Sequence, residues 1–103
     1  MDDANQIEVP PSFLALFTTP NGLRLTHPMA EVRQRYELCE DLAQMLCEQA
    51  SAAAFKSGGS ESEVLAAMEV ALSAEEGPLR EREPAWVVTR IAELLGWPLP
   101  QGD

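Results

Sequence analysis

The chain has 103 residues, with seventeen Asp and Glu against seven Lys and Arg, for a net charge of −10. A 46% hydrophobic, 23% charged composition is that of a globular protein with its own core rather than of a disordered tail. One lysine and six scattered arginines are too few and too outnumbered to neutralise a phosphate backbone or an anionic lipid surface, which argues against nucleic-acid and membrane partners.

This length suits one domain, hiding about two-thirds of its unfolded surface. No apolar run approaches the roughly 18 to 20 residues that span a bilayer. The opening MDDANQIEV has no basic stretch followed by an apolar one, so it does not read as a secretory signal and a cytoplasmic location is expected. Residues 1–8 are polar and are expected to be a flexible N-terminus, residues 9–98 a single helical domain, and residues 99–103 a flexible tail.

Val9-Pro10-Pro11-Ser12 announces a helix start, because proline suits the first turn. Phe13, Leu14, Leu16 and Phe17 follow at helical spacing, and Thr18-Thr19-Pro20 ends a helix of two turns at most. Asn21-Gly22 is a turn signal that could close a tiny hairpin. Since an isolated two-stranded ribbon is marginal in water, an irregular loop is expected instead.

The main element follows His27-Pro28. From there to about residue 56 the chain has neither glycine nor a further proline, and Val32, Tyr36, Cys39, Ala43, Leu46, Ala50 and Ala53 alternate steps of four and three, a helical stripe. Leu38, Leu42 and Met45 widen it, while Glu31, Arg33, Gln34, Glu37, Asp41, Gln44 and Glu48 mark the wet side. Ser57-Gly58-Gly59 stops the helix. Ser60-Glu61-Ser62-Glu63 has the form of a capping box and opens a helix with Val64, Leu65, Met68, Ala71 and Leu72 on its inner face, closed by Gly77-Pro78. Pro84 can sit in the first turn of the last helix, which carries Val87, Val88, Ile91, Leu94 and Leu95 on one face. Gly96 suits a left-handed C′ position, with Trp97 following and Pro98 forbidding continuation. The fold class expected is all-α, a small bundle of three main helices plus a short N-terminal one.

With RYELCEDLAQ at 35–44, AWVVTRIAELLGWP at 85–98 and the VPPSFLALF opening, the chain resembles a family of small acidic bacterial proteins often labelled "ATPase with chaperone activity". The resemblance implies a helical fold and carries no catalytic residue. ATP hydrolysis by a P-loop enzyme needs GxxxxGK[ST], whereas Lys56 is the sole lysine and Gly58-Gly59 lies after it. The ATPase reading is therefore rejected, and a chaperone-like role without ATPase activity is kept as an alternative.

Chemistry-bearing residues are sparse. His27, the lone histidine, precedes a proline at a helix start and reads as a capping or surface group. Cys39 and Cys47 fall on one helix about 12 Å apart, beyond disulfide reach. Their spacing of eight is not that of a zinc pair, and they read as small helix-packing residues. A thiol-based redox or metal-responsive role for them is the second alternative. Glu37, Glu40 and Asp41 lack the histidines of a di-metal centre and read as a solvated face. No catalytic residue, cofactor or metal site is expected.

Trp86 lies about 140° around the last helix from Ile91 and needs a second surface, as do the apolar residues of the opening segment, so mutual cover is the economical arrangement. The rival reading leaves Phe13, Phe17 and Trp86 as partner-binding anchors. The function expected is that of a non-enzymatic protein acting through protein–protein contacts, with a basic partner or with a second copy of itself.

Overall fold

A computed structural model describes residues 8–74 and 76–99. The protein is all-α: three main helices preceded by a short one. These are α1 (Pro11–Leu14), continued by a 3-10 turn (Ala15–Phe17), then α2 (Met29–Lys56), α3 (Glu61–Leu72) and α4 (Glu83–Leu95). Among the described residues no helix is long and apolar enough to cross a membrane. The chain divides into two compact units between Leu38 and Cys39. This boundary falls inside α2, where the sequence, expected to form a single unit over residues 9–98, shows no break. The expected flexible stretch 1–8 lies outside the described residues except for the exposed Glu8, and the expected tail likewise except for Leu99.

In the first unit, proline sets the start of α1, and the amides of Phe13 and Leu14 both donate to the Pro10 carbonyl. The turn points Phe13 and Phe17 inward, with ring centroids 5.5 Å apart. Phe13 meets Tyr36 of α2 edge-on at 5.6 Å, and Phe17 meets the His27 ring at 5.2 Å and 88°. Such offset and edge-to-face pairs add about 0.5–1.5 kcal/mol each beyond the area they bury. His27 is therefore a packing residue as well, with Nδ1 2.8 Å from the Thr26 hydroxyl.

The loop after Phe17 is more regular than expected. Thr18 and Leu25 form one antiparallel bridge, flanked by Thr19 N–H to Arg24 O at 2.9 Å and Thr26 N–H to Phe17 O at 2.6 Å. Asn21 makes this short ribbon hold, because its Oδ1 accepts from the Leu23 amide and the Thr19 hydroxyl. Gly22 supplies the positive φ of 77° that the turn requires.

In α2 the expected stripe holds at Val32, Cys39, Ala43 and Ala50, all buried, with Tyr36 and Leu46 half-buried. Its last member is Ala54, not Ala53, which is exposed. Alternating steps of four and three average 3.5 residues per turn, so over 21 residues Ala53 lags the face by about 60°, whereas Ala54 leads it by only about 40°. Met45, expected to widen the stripe, is exposed.

The second unit holds the rest of α2 with α3 and α4, and α3 packs against α4. Two helix ends use the same device. At the end of α2 the Gly59 amide bonds Ala54 O at 2.7 Å and the Gly58 amide bonds Phe55 O at 3.4 Å. At the end of α4, Trp97 bonds Ala92 O at 2.9 Å and Gly96 bonds Glu93 O at 3.3 Å, with Gly96 left-handed at φ 72°. Both are Schellman motifs that satisfy carbonyls the helix leaves open.

Helix starts depart further from expectation. Ser60 precedes α3, but its side chain makes no capping hydrogen bond, so the Ser60 hydroxyl half of the expected capping box is not formed. Nor does α3 run on to Gly77-Pro78. It stops at Leu72, where the Ser73 hydroxyl and amide both turn back to Glu69 O, at 2.7 and 3.0 Å, a local competition with helix propagation that serine favours. In α4 Pro84 sits in the first turn, as expected, and the helix starts at Glu83, a buried carboxylate whose Oε1 accepts the Arg80 amide at 2.8 Å. The Glu83 amide returns a bond to the Arg80 carbonyl at 3.0 Å, so the two residues close a turn just ahead of the helix.

Buried residues of α4 run from Trp86 through Glu83, Val87, Ile91, Pro84 and Val88 to Ala92, an arc of about 240° at 100° per residue. Two outcomes follow for urea unfolding. Glu83→Ala leaves the Arg80 amide without its acceptor and is expected to cost about 1–3 kcal/mol. Trp86→Ala opens a cavity beside α4 and is expected to cost about 3–5 kcal/mol, against less than about 0.5 kcal/mol for the exposed Phe55→Ser.

Candidate partner-binding site

Phe13, Phe17 and Trp86, partner anchors in the rival reading and covered residues in the favoured one, are buried. They are 0%, 5% and 9% exposed, with Phe13 and Phe17 in the first unit and Trp86 in the second. Phe13 and Phe17 join in the aromatic cluster described above, and Trp86 belongs to the buried arc of α4. The apolar side chains on view are others: Met45, Phe55, Val70 and Leu99 in the second unit, and Leu23 and Leu25 on the ribbon of the first.

Four of these exposed positions are in the unit that also contains an apolar groove. Its volume is about 630 Å³, and it is lined by Leu65, Ala66 and Glu69 of α3, Val88 of α4, Pro98 and Leu99 beyond α4, and the 59–62 segment that starts α3. The local sequence explains its shape. Leu65 is buried at one wall while Ala66, one step round α3, is exposed and short, so nothing fills the space above it. Gly96 ends α4, and Pro98 and the exposed Leu99 beyond it line the groove as well. A second, more open cavity of about 390 Å³ is lined by Ser51, Ala54 and Phe55 of α2, by Gly58, Gly59 and Glu61, and by Trp97. The two share Gly59 and Glu61. No lysine or arginine lines either one.

The other polar cluster of this unit is structural. Arg90 of α4 clamps Glu40 of α2 with two bonds, Nε to Oε1 at 2.8 Å and Nη2 to Oε2 at 3.1 Å. Its Nη1 reaches Glu93 at 3.2 Å, and Gln44 donates to Glu40 Oε2 at 2.7 Å. Glu40 is thus not part of a solvated acidic face with Glu37 and Asp41, as its position beside them suggested. The Arg90 hydrogen bonds hold the Glu40 carboxyl below its ordinary value of 4.5 despite partial burial. The same bonds hold the guanidinium above its own ordinary value. Sequence alone could not pair residues fifty positions apart.

The cysteines are both free, Cys39 fully buried and Cys47 half-buried. Burial pushes the Cys47 thiol up, and its Sγ–H donates to the Ala43 carbonyl at 3.3 Å. A reactive thiol needs the opposite shift. Among the described residues no three His, Cys, Asp or Glu side chains gather where they could hold a metal ion. Comparison with family models, with curated proteins and with solved structures finds no match to this chain.

The clamp gives acid sensitivity of a definite sign. A carboxyl held below its unfolded value stabilises the fold at pH above that value and loses the contribution as pH falls through the lowered folded value. Arg90, held high, contributes throughout that range. In urea unfolding, wild type is expected to exceed Glu40→Gln by about 1–2 kcal/mol at neutral pH, and the gap is expected to narrow toward pH 3. An equal gap at both pH values would count against the clamp.

Proposed function

We propose that this protein is a non-enzymatic, cytoplasmic contact module, and that its groove between α3 and the segment after α4 receives a side chain or short segment of another protein. The observation that carries this reading is the groove itself. It combines an apolar floor and wall from Leu65, Val88, Pro98 and Leu99 with polar groups at Ser60, Ser62 and Glu69, the pattern of concave apolar surface with a few orienting polar groups that binding sites share. Exposed Leu99 adjoins it, and solvated apolar side chains grouped at a concavity are a mark of docking surfaces. The buried Cys39 and the raised Cys47 thiol favour this reading over a thiol-based one.

The test places a photo-crosslinking residue at position 66, inside the groove, and at position 34, on the exposed side of α2. Irradiation in native lysate is expected to give a protein adduct from position 66 that position 34 does not give and that Leu99→Asp suppresses. Equal labelling from both positions, or adducts indifferent to Leu99→Asp, would overturn the proposal.

A further inference from the structure

Resting on that reading, we infer that the groove's occupant is a basic amphipathic segment of another protein, seating bulky apolar side chains in the two cavities and laying Lys or Arg against Glu61 and Glu69. Three observations point the same way. First, the cavities adjoin, since Gly59 and Glu61 line both. A ligand following them passes from Phe55 and Trp97, across Glu61, to Leu65 and Leu99. That sequence of apolar, acidic and apolar surface is what a segment with apolar residues on either side of a cation complements.

Second, the polar lining has one sign. Glu61 and Glu69 line the track, and no arginine or lysine does. The Arg90 guanidinium, which lines neither cavity, bonds Glu40 and Glu93. A neutral apolar ligand would take the cavities but leave those carboxylates unused, and an acidic one would be repelled by them.

Third, the other candidate occupants carry the wrong charge. A second copy of the chain brings a net charge of −10 against −10. Residues 1–7 and 100–103, MDDANQI and PQGD, hold acids and neither lysine nor arginine. A basic partner is attracted by the same field, which speeds its encounter and makes binding salt-dependent.

Selection from a phage-displayed library of random 12-residue peptides against the full chain, at physiological salt, tests this without assuming a ligand. The enriched peptides are expected to combine Leu, Ile, Phe or Trp with Lys or Arg at helical spacing. They are expected to shift the backbone amide resonances of Gly59, Leu65, Ala66 and Leu99, and to bind the double variant Glu61→Lys, Glu69→Lys about tenfold more weakly, a change of about 1.4 kcal/mol. Both glutamates are half-exposed and, among the described residues, neither carboxylate makes a hydrogen bond or ion pair, so far-ultraviolet circular dichroism of the variant is expected to match wild type. If the enriched peptides map to the groove yet are neutral or acidic, or bind the double variant equally, the basic partner is overturned while the groove stands as a docking site. Shifts that fall on another face overturn both. Light scattering that shows a dimer abolished by Leu99→Asp would make a second copy the occupant and overturn the inference.

Discussion

Burial of α4 round most of its circumference is the constraint on which the second unit depends. A helix with one apolar stripe needs one neighbour, but an arc of about 240° reaching from Trp86 to Ala92 must be covered from more than one side. The packed α3 is part of that cover. The chain also gives α4 a tightly defined length, with a buried carboxylate at its first turn and a left-handed glycine after its last. Polar groups at the ends of a helix this deeply placed have little access to water, and leaving one unpaired costs about 1–3 kcal/mol. It is consistent that Glu83 takes the Arg80 amide and that Gly96 and Trp97 close two carbonyls of the last turn.

The Glu40–Arg90 clamp is the polar counterpart of that burial. A long charged side chain on α4 cannot be left in an apolar interface, and the planar guanidinium solves the difficulty by taking a carboxylate with two parallel bonds while its third nitrogen reaches Glu93. Such a bidentate pair fixes the register of α2 against α4 more sharply than apolar contact does, because a shift of one residue on either helix would separate the fork from its carboxylate. The alanines at 43, 50 and 54 are buried on the same helix as Glu40, where small side chains leave the approach of a neighbour unobstructed.

Local signals in the sequence carried the helices, while non-local ones were out of reach. The absence of glycine and proline between positions 28 and 57 sets α2 to within a residue of its observed start, and the glycines at 58, 59 and 96 sit where left-handed backbone is needed. Gly77 misled because α3 ends five residues before it, where the Ser73 hydroxyl adds a second bond to the Glu69 carbonyl beside the ordinary helical one. Ser60 misled in the opposite sense, since a capping pattern permits a hydrogen bond without requiring it. The anchors Phe13, Phe17 and Trp86 were legible as apolar residues needing cover, and they have it. What periodicity could have shown is that Phe55 lies off the buried face of α2, about 100° from Ala54, and so faces solvent. The groove had no such signal, since its lining comes from four separate stretches of chain.

The groove follows from the same economy that builds the core. Alanine at position 66 keeps α3 helical at little entropic cost but presents no side chain long enough to fill the space beside Leu65, and Gly96 ends α4 before it can extend over that space. A sequence selected only for stability would place a larger apolar residue at position 66, since filling such a void typically adds stability. Retaining alanine there, with glutamate rather than lysine on the neighbouring turn at position 69, leaves a concavity whose polar lining is acidic in a protein already at −10. Mutual repulsion among those acids opposes folding, and a cation arriving with a partner relieves it. Docking of a basic segment would therefore stabilise the fold as well as fill the groove, by the linkage that ties any ligand of the folded state to its unfolding equilibrium.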